Sequence, residues 1–141
     1  MEYKVIFKDY NKALKRNKLL GLKCNDCGTV TCPPMMVCQE CAGTNQEVVE
    51  LSGKGQVLTF TTSYLNSEGR ENELPITIVM VQLDEGPWIM GNLDDVDPKR
   101  VNMKLIGKRV GLGHRVFPGD RYSAGEAARP VFSYIEQIEN V

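Results

Sequence analysis

Histidine and tryptophan each occur once in this chain, as His114 and Trp88, and aromatic residues make up only 7% of it. One histidine suits nucleophilic or acid–base catalysis poorly, because such chemistry needs a base beside a thiol or hydroxyl. His114 lies inside a strand-like run, where a lone histidine is ordinarily a packed or surface residue. No serine elbow, Walker loop or dinucleotide fingerprint occurs, and Gly111-Leu112-Gly113 is too short to be one. Acting alone, the chain is expected to catalyse nothing. Long apolar runs are missing too: none approaches the roughly 20 residues that a membrane-spanning helix requires. The first ten residues hold charges and no apolar core, unlike a secretory signal. A cytoplasmic location is the expectation. Charge of one sign is also lacking. The formal net charge is -1 over 141 residues, so bulk electrostatics do not mark a polyanion binder.

What charge there is lies unevenly. The first 46 residues carry a net +3 and the remainder a net -4. Two modules with different surfaces are expected, together with an N-terminal segment: a helical stretch over 1–21, a metal ribbon over 22–46 and a barrel over 47–141. The helix is expected from Asp9 to Leu20, with Asp9 as N-cap and Gly21 as its stop. Phe7, Tyr10, Ala13 and Leu14 would form its apolar stripe, and Lys8, Lys12 and Lys15 a solvated face.

Cysteine is abundant where histidine is not. Five are present, in a chain expected in a reducing compartment, which favours metal or redox chemistry over disulfides. Cys24-Asn25-Asp26-Cys27-Gly28 and Cys38-Gln39-Glu40-Cys41-Ala42-Gly43 are two knuckles separated by ten residues. Two thiols two residues apart grip one metal from a tight turn, and a glycine after each pair relieves crowding near the sulfurs. Four thiolates satisfy tetrahedral Zn²⁺ and leave no position for water or substrate. The ion is therefore expected to be structural, held by Cys24, Cys27, Cys38 and Cys41. Spacing alone also admits iron. A redox dithiol would need one such pair within a βαβ pattern, which is lacking here. Cys32, the fifth, stands off this register and is expected to pack as a small apolar side chain rather than to react.

Beyond Gln46 the texture becomes strand-like, with runs at 55–64, 76–83, 88–93, 108–117 and 131–138. The second run, Ile76–Leu83, is almost continuously apolar and should be central. Asp84-Glu85-Gly86 makes a tight hairpin to the third, and Asp97-Pro98-Lys99 opens a short turn. Long polar loops are read at 65–75 and 118–130. Five short strands in this length suit a five-stranded OB-fold barrel. The expected fold is thus mostly β: N-terminal helix, rubredoxin-like zinc ribbon, then barrel. Between Lys99 and Arg115 six basic residues occur without an acid. They are either a phosphate-contacting patch, with Lys104, Lys108 and Arg109 as candidates, or a solvated barrel edge. The Pro33-Pro34-Met35-Met36-Val37 run either tucks onto the fold or makes an adaptable contact with a partner.

The order of helix, Leu22-Lys23-Cys24-x-x-Cys27-Gly28, Pro33-Pro34, Cys38-x-x-Cys41, Leu51-Ser52-Gly53-Lys54-Gly55-Gln56-Val57 and Ile106-Gly107-Lys108-Arg109-Val110 resembles the acyl-CoA-associated zinc-ribbon/OB-fold family over nearly the whole chain. The resemblance implies a hetero-oligomer in which a thiolase-like subunit holds the catalytic groups. It also implies a small chain that supports assembly and helps hold coenzyme A. Within the family the likeness is to small subunits of benzoylsuccinyl-CoA thiolases of anaerobic toluene degradation. Met35 and Gln39 depart from the family pattern, where a basic residue and a proline are usual. Two other functions fit the same modules. A ribbon with an OB-fold can bind single-stranded nucleic acid, which the few aromatics and the acidic barrel half disfavour. A free-standing coenzyme A carrier is the other.

Overall fold

A computed structural model describes residues 4–65, 75–94, 96–117 and 127–135. Among these residues one α-helix, α1 (Phe7–Leu14), is followed by eight strands. Three of them, β1 (Leu19–Cys24), β2 (Val30–Thr31) and β3 (Gln46–Leu51), form an antiparallel sheet in the order β2-β1-β3. The other five are β4 (Lys54–Ser63), β5 (Ile76–Leu83), β6 (Trp88–Leu93), β7 (Arg109–Phe117) and β8 (Ala127–Tyr134). They close a barrel in the order β4-β5-β6-β8-β7, with β7 returning to β4 through Lys54↔Gly111. All pairings are antiparallel except β6 with β8. This is the five-stranded Greek-key closure of an OB-fold.

The helix is shorter than expected and capped differently. It ends at Leu14, and its N-cap, Ile6, makes no side-chain bond, so Asp9 lies in the first turn instead. The chain reverses at Asn17, which takes a left-handed φ of 62°, and Leu19–Gly21 already belong to β1. Leu19 pairs with Leu51 and Leu22 with Val48, and these strand contacts override the helical period. Phe7 is not part of the buried stripe and stays 69% exposed; Leu14 is buried as expected, and Asn11 is buried beside it. Lys8, Lys12 and Lys15 do face solvent.

Buried Asn11 joins the helix to the barrel. Its Nδ2 donates to the Ala128 carbonyl at 3.0 Å, and the Ala128 amide donates back to Oδ1 at 3.3 Å. The side-chain amide thus imitates a neighbouring strand for one residue of β8. Asn11→Ala would strand both backbone groups in a buried place, at a cost of about 2–3 kcal/mol. Urea unfolding of the variant checks this, and a loss under about 0.5 kcal/mol would contradict it.

Strand boundaries follow the sequence closely in the middle of the barrel and less well at its end. β5 and β6 fall where expected. The hairpin between them closes with Gly86 donating to Leu83 O and Leu83 to Pro87 O, both at 2.8 Å, and Gly86 at φ 115°. β8 begins at Ala127, not Val131, and contains Pro130 opposite His114. Proline offers no donor, and pairing with β6 starts only at Val131. The expected loops at 65–75 and 118–130 lie largely outside the described residues, as does the chain beyond Ile135.

One core runs through both sheets. Val57, Val79, Val81, Leu83, Ile89, Val110 and Phe132 fill the barrel, and Leu19, Cys32 and Leu51 continue it into the three-stranded sheet. Leu105, on a 3-10 turn (Met103–Leu105), is buried in the same core. The Pro33–Val37 run is half-buried, with Met35 52% exposed. Pro33 and Pro34 face Val5, Ile6, Phe7 and Tyr10 across an apolar groove of about 470 Å³.

Candidate metal centre

Each cysteine pair sits on the same backbone device. In the first knuckle the Cys24 amide donates to Thr29 O and the Gly28 amide donates to Cys24 O, both at 2.9 Å. In the second, Cys38 donates to Gly43 O and Ala42 donates to Cys38 O, again at 2.9 Å. The corresponding turn residues are left-handed, Gly28 at φ 81° and Ala42 at φ 60°. The residue after each pair is thus the one that needs a positive φ. Glycine takes it freely in the first knuckle, while alanine bears a steric cost in the second, with Gly43 one place further on. The two knuckles are tied directly. Asn25 N donates to Asn45 O at 2.8 Å and Asn25 Nδ2 to Asn45 Oδ1 at 3.1 Å, while within the second knuckle the Glu40 amide points at Cys38 Sγ from 3.4 Å.

These turns bring four sulfurs together. Cys24 and Cys41 are 3.6 Å apart, Cys27 and Cys38 are 3.5 Å apart, and all four ligand atoms lie within 4.8 Å of one another. Metal–sulfur bonds of about 2.3 Å imply a tetrahedron with edges of roughly 3.8 Å, so the quartet has the dimensions of a four-thiolate site. Cys24 and Cys38 are buried, and Cys27 and Cys41 reach the surface. The Thr29 hydroxyl stands 3.4 Å from Cys27 Sγ, and first this group, then the Thr29 backbone, holds the Cys27 thiol down to about 6. The Gly43 amide favours the Cys41 thiolate, but proton sharing with Cys24 and Cys27 outweighs it and pushes Cys41 up to about 12. Four thiolates this close repel one another, so the set ionises completely only around a cation. With all positions taken by sulfur, a bound ion would hold structure rather than activate water.

Cys32 stands apart from the quartet. It is buried, its thiol donates to Leu20 O at 3.6 Å, and it neighbours the Tyr10 hydroxyl. Burial, opposed by the Tyr10 hydrogen bond and reinforced by the charge of Glu85, pushes Cys32 up to about 12. Burial also raises Tyr10. A thiol with that pKa is almost wholly protonated at pH 8, so native Cys32 should react with iodoacetamide on the order of 1,000-fold more slowly than an ordinary cysteine. Mass spectrometry of native against urea-unfolded protein reads the ratio, and equal rates would refute it. Because the folded pKa exceeds the unfolded one, the stabilisation is complete below about pH 8.5 and fades as pH rises towards 12.

The structure divides the basic candidates. Arg109 makes a two-pronged pair with Asp84, at 2.7 and 2.9 Å, which holds the Asp84 carboxyl below its usual range. Arg100 lies 3.8 Å from Asp97. Lys104 and Lys108 are exposed on the turn before β7. Sequence reasoning missed Thr29, Asn25 and Asn45, whose roles depend on the fold of the knuckles. The left-handed turn at Ala42 carried no local signal because alanine stands where glycine is usual.

A model of the ChsH2 rubredoxin-like zinc ribbon domain matches residues 12–47, and one of the ChsH2 C-terminal OB-fold domain matches residues 48–115. A DUF35 domain-containing scaffold protein of Methanocaldococcus jannaschii is 32% identical over 108 residues, 76% of this chain and 74% of its own. The chain belongs to the DUF35 family. Another relative is the benzoylsuccinyl-CoA thiolase subunit BbsA of Thauera aromatica, 29% identical over 76 residues, or 54% of this chain and 51% of BbsA. Among solved DUF35 structures, one described as the Ltp2-ChsH2(DUF35) aldolase superposes with a TM-score of 0.66 at 26% identity, covering 89% of this chain and 91% of that one. Among the described residues of this DUF35 chain, no helix is long and apolar enough to cross a membrane.

Proposed function

We propose that this chain is the zinc-binding, non-catalytic accessory subunit of a thiolase complex acting on an acyl-CoA. The observation that carries the reading is the likeness, over 91% of its length, to the DUF35 chain of the Ltp2-ChsH2 aldolase. The likeness to BbsA supports a thiolase partner and benzoylsuccinyl-CoA as substrate. The metal is zinc, bound by Cys24, Cys27, Cys38 and Cys41, and its role is to hold the ribbon in shape. Coenzyme A phosphates lie at Lys104 and Lys108 in the assembled complex. Arg109 contributes less, because Asp84 already occupies its guanidinium. The complex resides in the cytoplasm.

Purification of the untagged chain from its native cells, with metal analysis of the same sample, tests the proposal. A stoichiometric thiolase-type subunit and about one zinc per small chain are expected. Thiolysis of benzoylsuccinyl-CoA by that complex then tests the substrate. A chain that runs alone would refute the subunit reading. In the complex, Lys104→Glu with Lys108→Glu should raise the KM for coenzyme A about tenfold and leave assembly intact. An unchanged KM would remove both lysines from the site.

A further inference from the structure

We infer that the outer face of β5 and β6 is the surface on which the catalytic subunit docks. The inference rests on the subunit reading above and goes beyond it by naming the face. Alternation along the two strands turns Ile78, Met80 and Gln82 outward on β5, and Trp88, Met90 and Asn92 outward on β6. Register sets them side by side, as Ile78↔Asn92, Met80↔Met90 and Gln82↔Trp88. Trp88 and Met90 are each 60% exposed.

Three observations show what covers this face. First, an antiparallel strand with a solvated side alternates apolar with polar residues. β5 carries Ile76, Ile78 and Met80 on its outer side, with Gln82 the one polar residue there, which is close to the pattern of a strand covered twice. Its main packing partners among the described elements are its sheet neighbours, β4 and β6. The outer residues of β5 are half-buried and Trp88 and Met90 beside them are exposed, which leaves apolar surface for another molecule. Second, neither strand carries a charged residue. Single-stranded nucleic acid would require cations among the aromatics, and this face has none. An exposed tryptophan beside the Met80–Met90 pair, free of charge, is instead the composition of a protein-interface core. Third, residues 47–141 carry a net -4. A second copy docked here would bring two acidic halves together, whereas a different subunit can offer a complementary rim.

Trp88 is the only tryptophan of the chain, so it provides a direct probe. The chain is labelled with 5-fluorotryptophan and mixed with the thiolase-type subunit that co-purifies with it, and the single ¹⁹F resonance is followed beside sedimentation. The resonance should shift as the complex forms. Trp88→Glu and Met90→Glu should each weaken association about 100-fold while metal content and melting temperature stay unchanged. A complex that forms with the resonance unmoved, or with Trp88→Glu at full affinity, would overturn the docking face and leave the subunit reading standing. A resonance that moves with concentration in the isolated chain, together with a dimer in sedimentation, would assign the face to a second copy instead. Failure of any thiolase-type subunit to associate with the wild-type chain would overturn both.

Discussion

Cys38→Ser is expected to abolish metal binding and to unfold the three-stranded sheet while the barrel remains. The ribbon holds little apolar material of its own. β2 is only two residues long, and the knuckles are polar turns closed by a few backbone bonds. Structural zinc in small ribbons supplies apparent binding energy of roughly 10–16 kcal/mol, most of which is lost when one thiolate of four is removed. Cys38 is 1% exposed and accepts the Glu40 amide, so serine leaves a buried hydroxyl facing three thiols. Metal analysis should fall from about one ion per chain to near zero. Amide exchange across Leu19–Leu51 should lose its protection, with β5 and β6 largely unaffected. Chelation of the wild-type protein should give the same pattern, and Cys32→Ser should keep its metal. A Cys38→Ser protein that retains both metal and protection would show that the quartet is not the site.

The second large effect lies in the barrel. Phe132 is fully buried and is the largest side chain of its core. Its ring fills the space above Gly91, where an added Cβ would stand 2.8 Å from the ring and 2.8 Å from the Pro130 carbonyl. Phe132→Ala should cost about 3–5 kcal/mol, read by urea unfolding. Gly91→Ala should be nearly as damaging in the wild type, because the methyl meets an immovable ring. The two changes together should cost less than their sum, by about 1–2 kcal/mol. The recovery is partial, since the Pro130 carbonyl stays in place. Strict additivity would mean that the ring and the glycine do not constrain each other.

Much of the metal centre was legible because its chemistry is local. Two residues between thiols fix a knuckle, and two knuckles fix a four-sulfur site whatever surrounds them. Cys32 was separable for the same reason, since it stands off that register. The middle of the barrel was legible as well. β5 and β6 are short and apolar, and the Asp84-Glu85-Gly86 turn between them permits little other than a hairpin.

The basic stretch was less informative. Between Lys99 and Arg115 the sequence shows no acid, but Asp84 arrives from the β5–β6 hairpin and binds Arg109. A neighbour in space, absent from the local sequence, engages part of one of the three residues chosen for a phosphate. The helix was misjudged in the same way. Leu19 and Leu20 extend a helical pattern, and only the pairing of Leu19 with Leu51 and Leu20 with Glu50 makes them strand. Ile76–Leu83 was expected to be central because it is apolar throughout. Within this chain it has one buried face, and the other is half-buried.

By itself the sequence determined the four-sulfur ligand set, the ribbon-then-barrel order and the expectation of a partner, because each depends on residue type and short spacing. The tertiary structure alone decided where the helix stops, which cations remain available and which apolar face lies outward. Those outcomes rest on contacts between residues far apart in the chain, such as Asn11 with Ala128 and Asp84 with Arg109. Such contacts leave no periodic trace, since packing free energy depends on the neighbours that folding supplies.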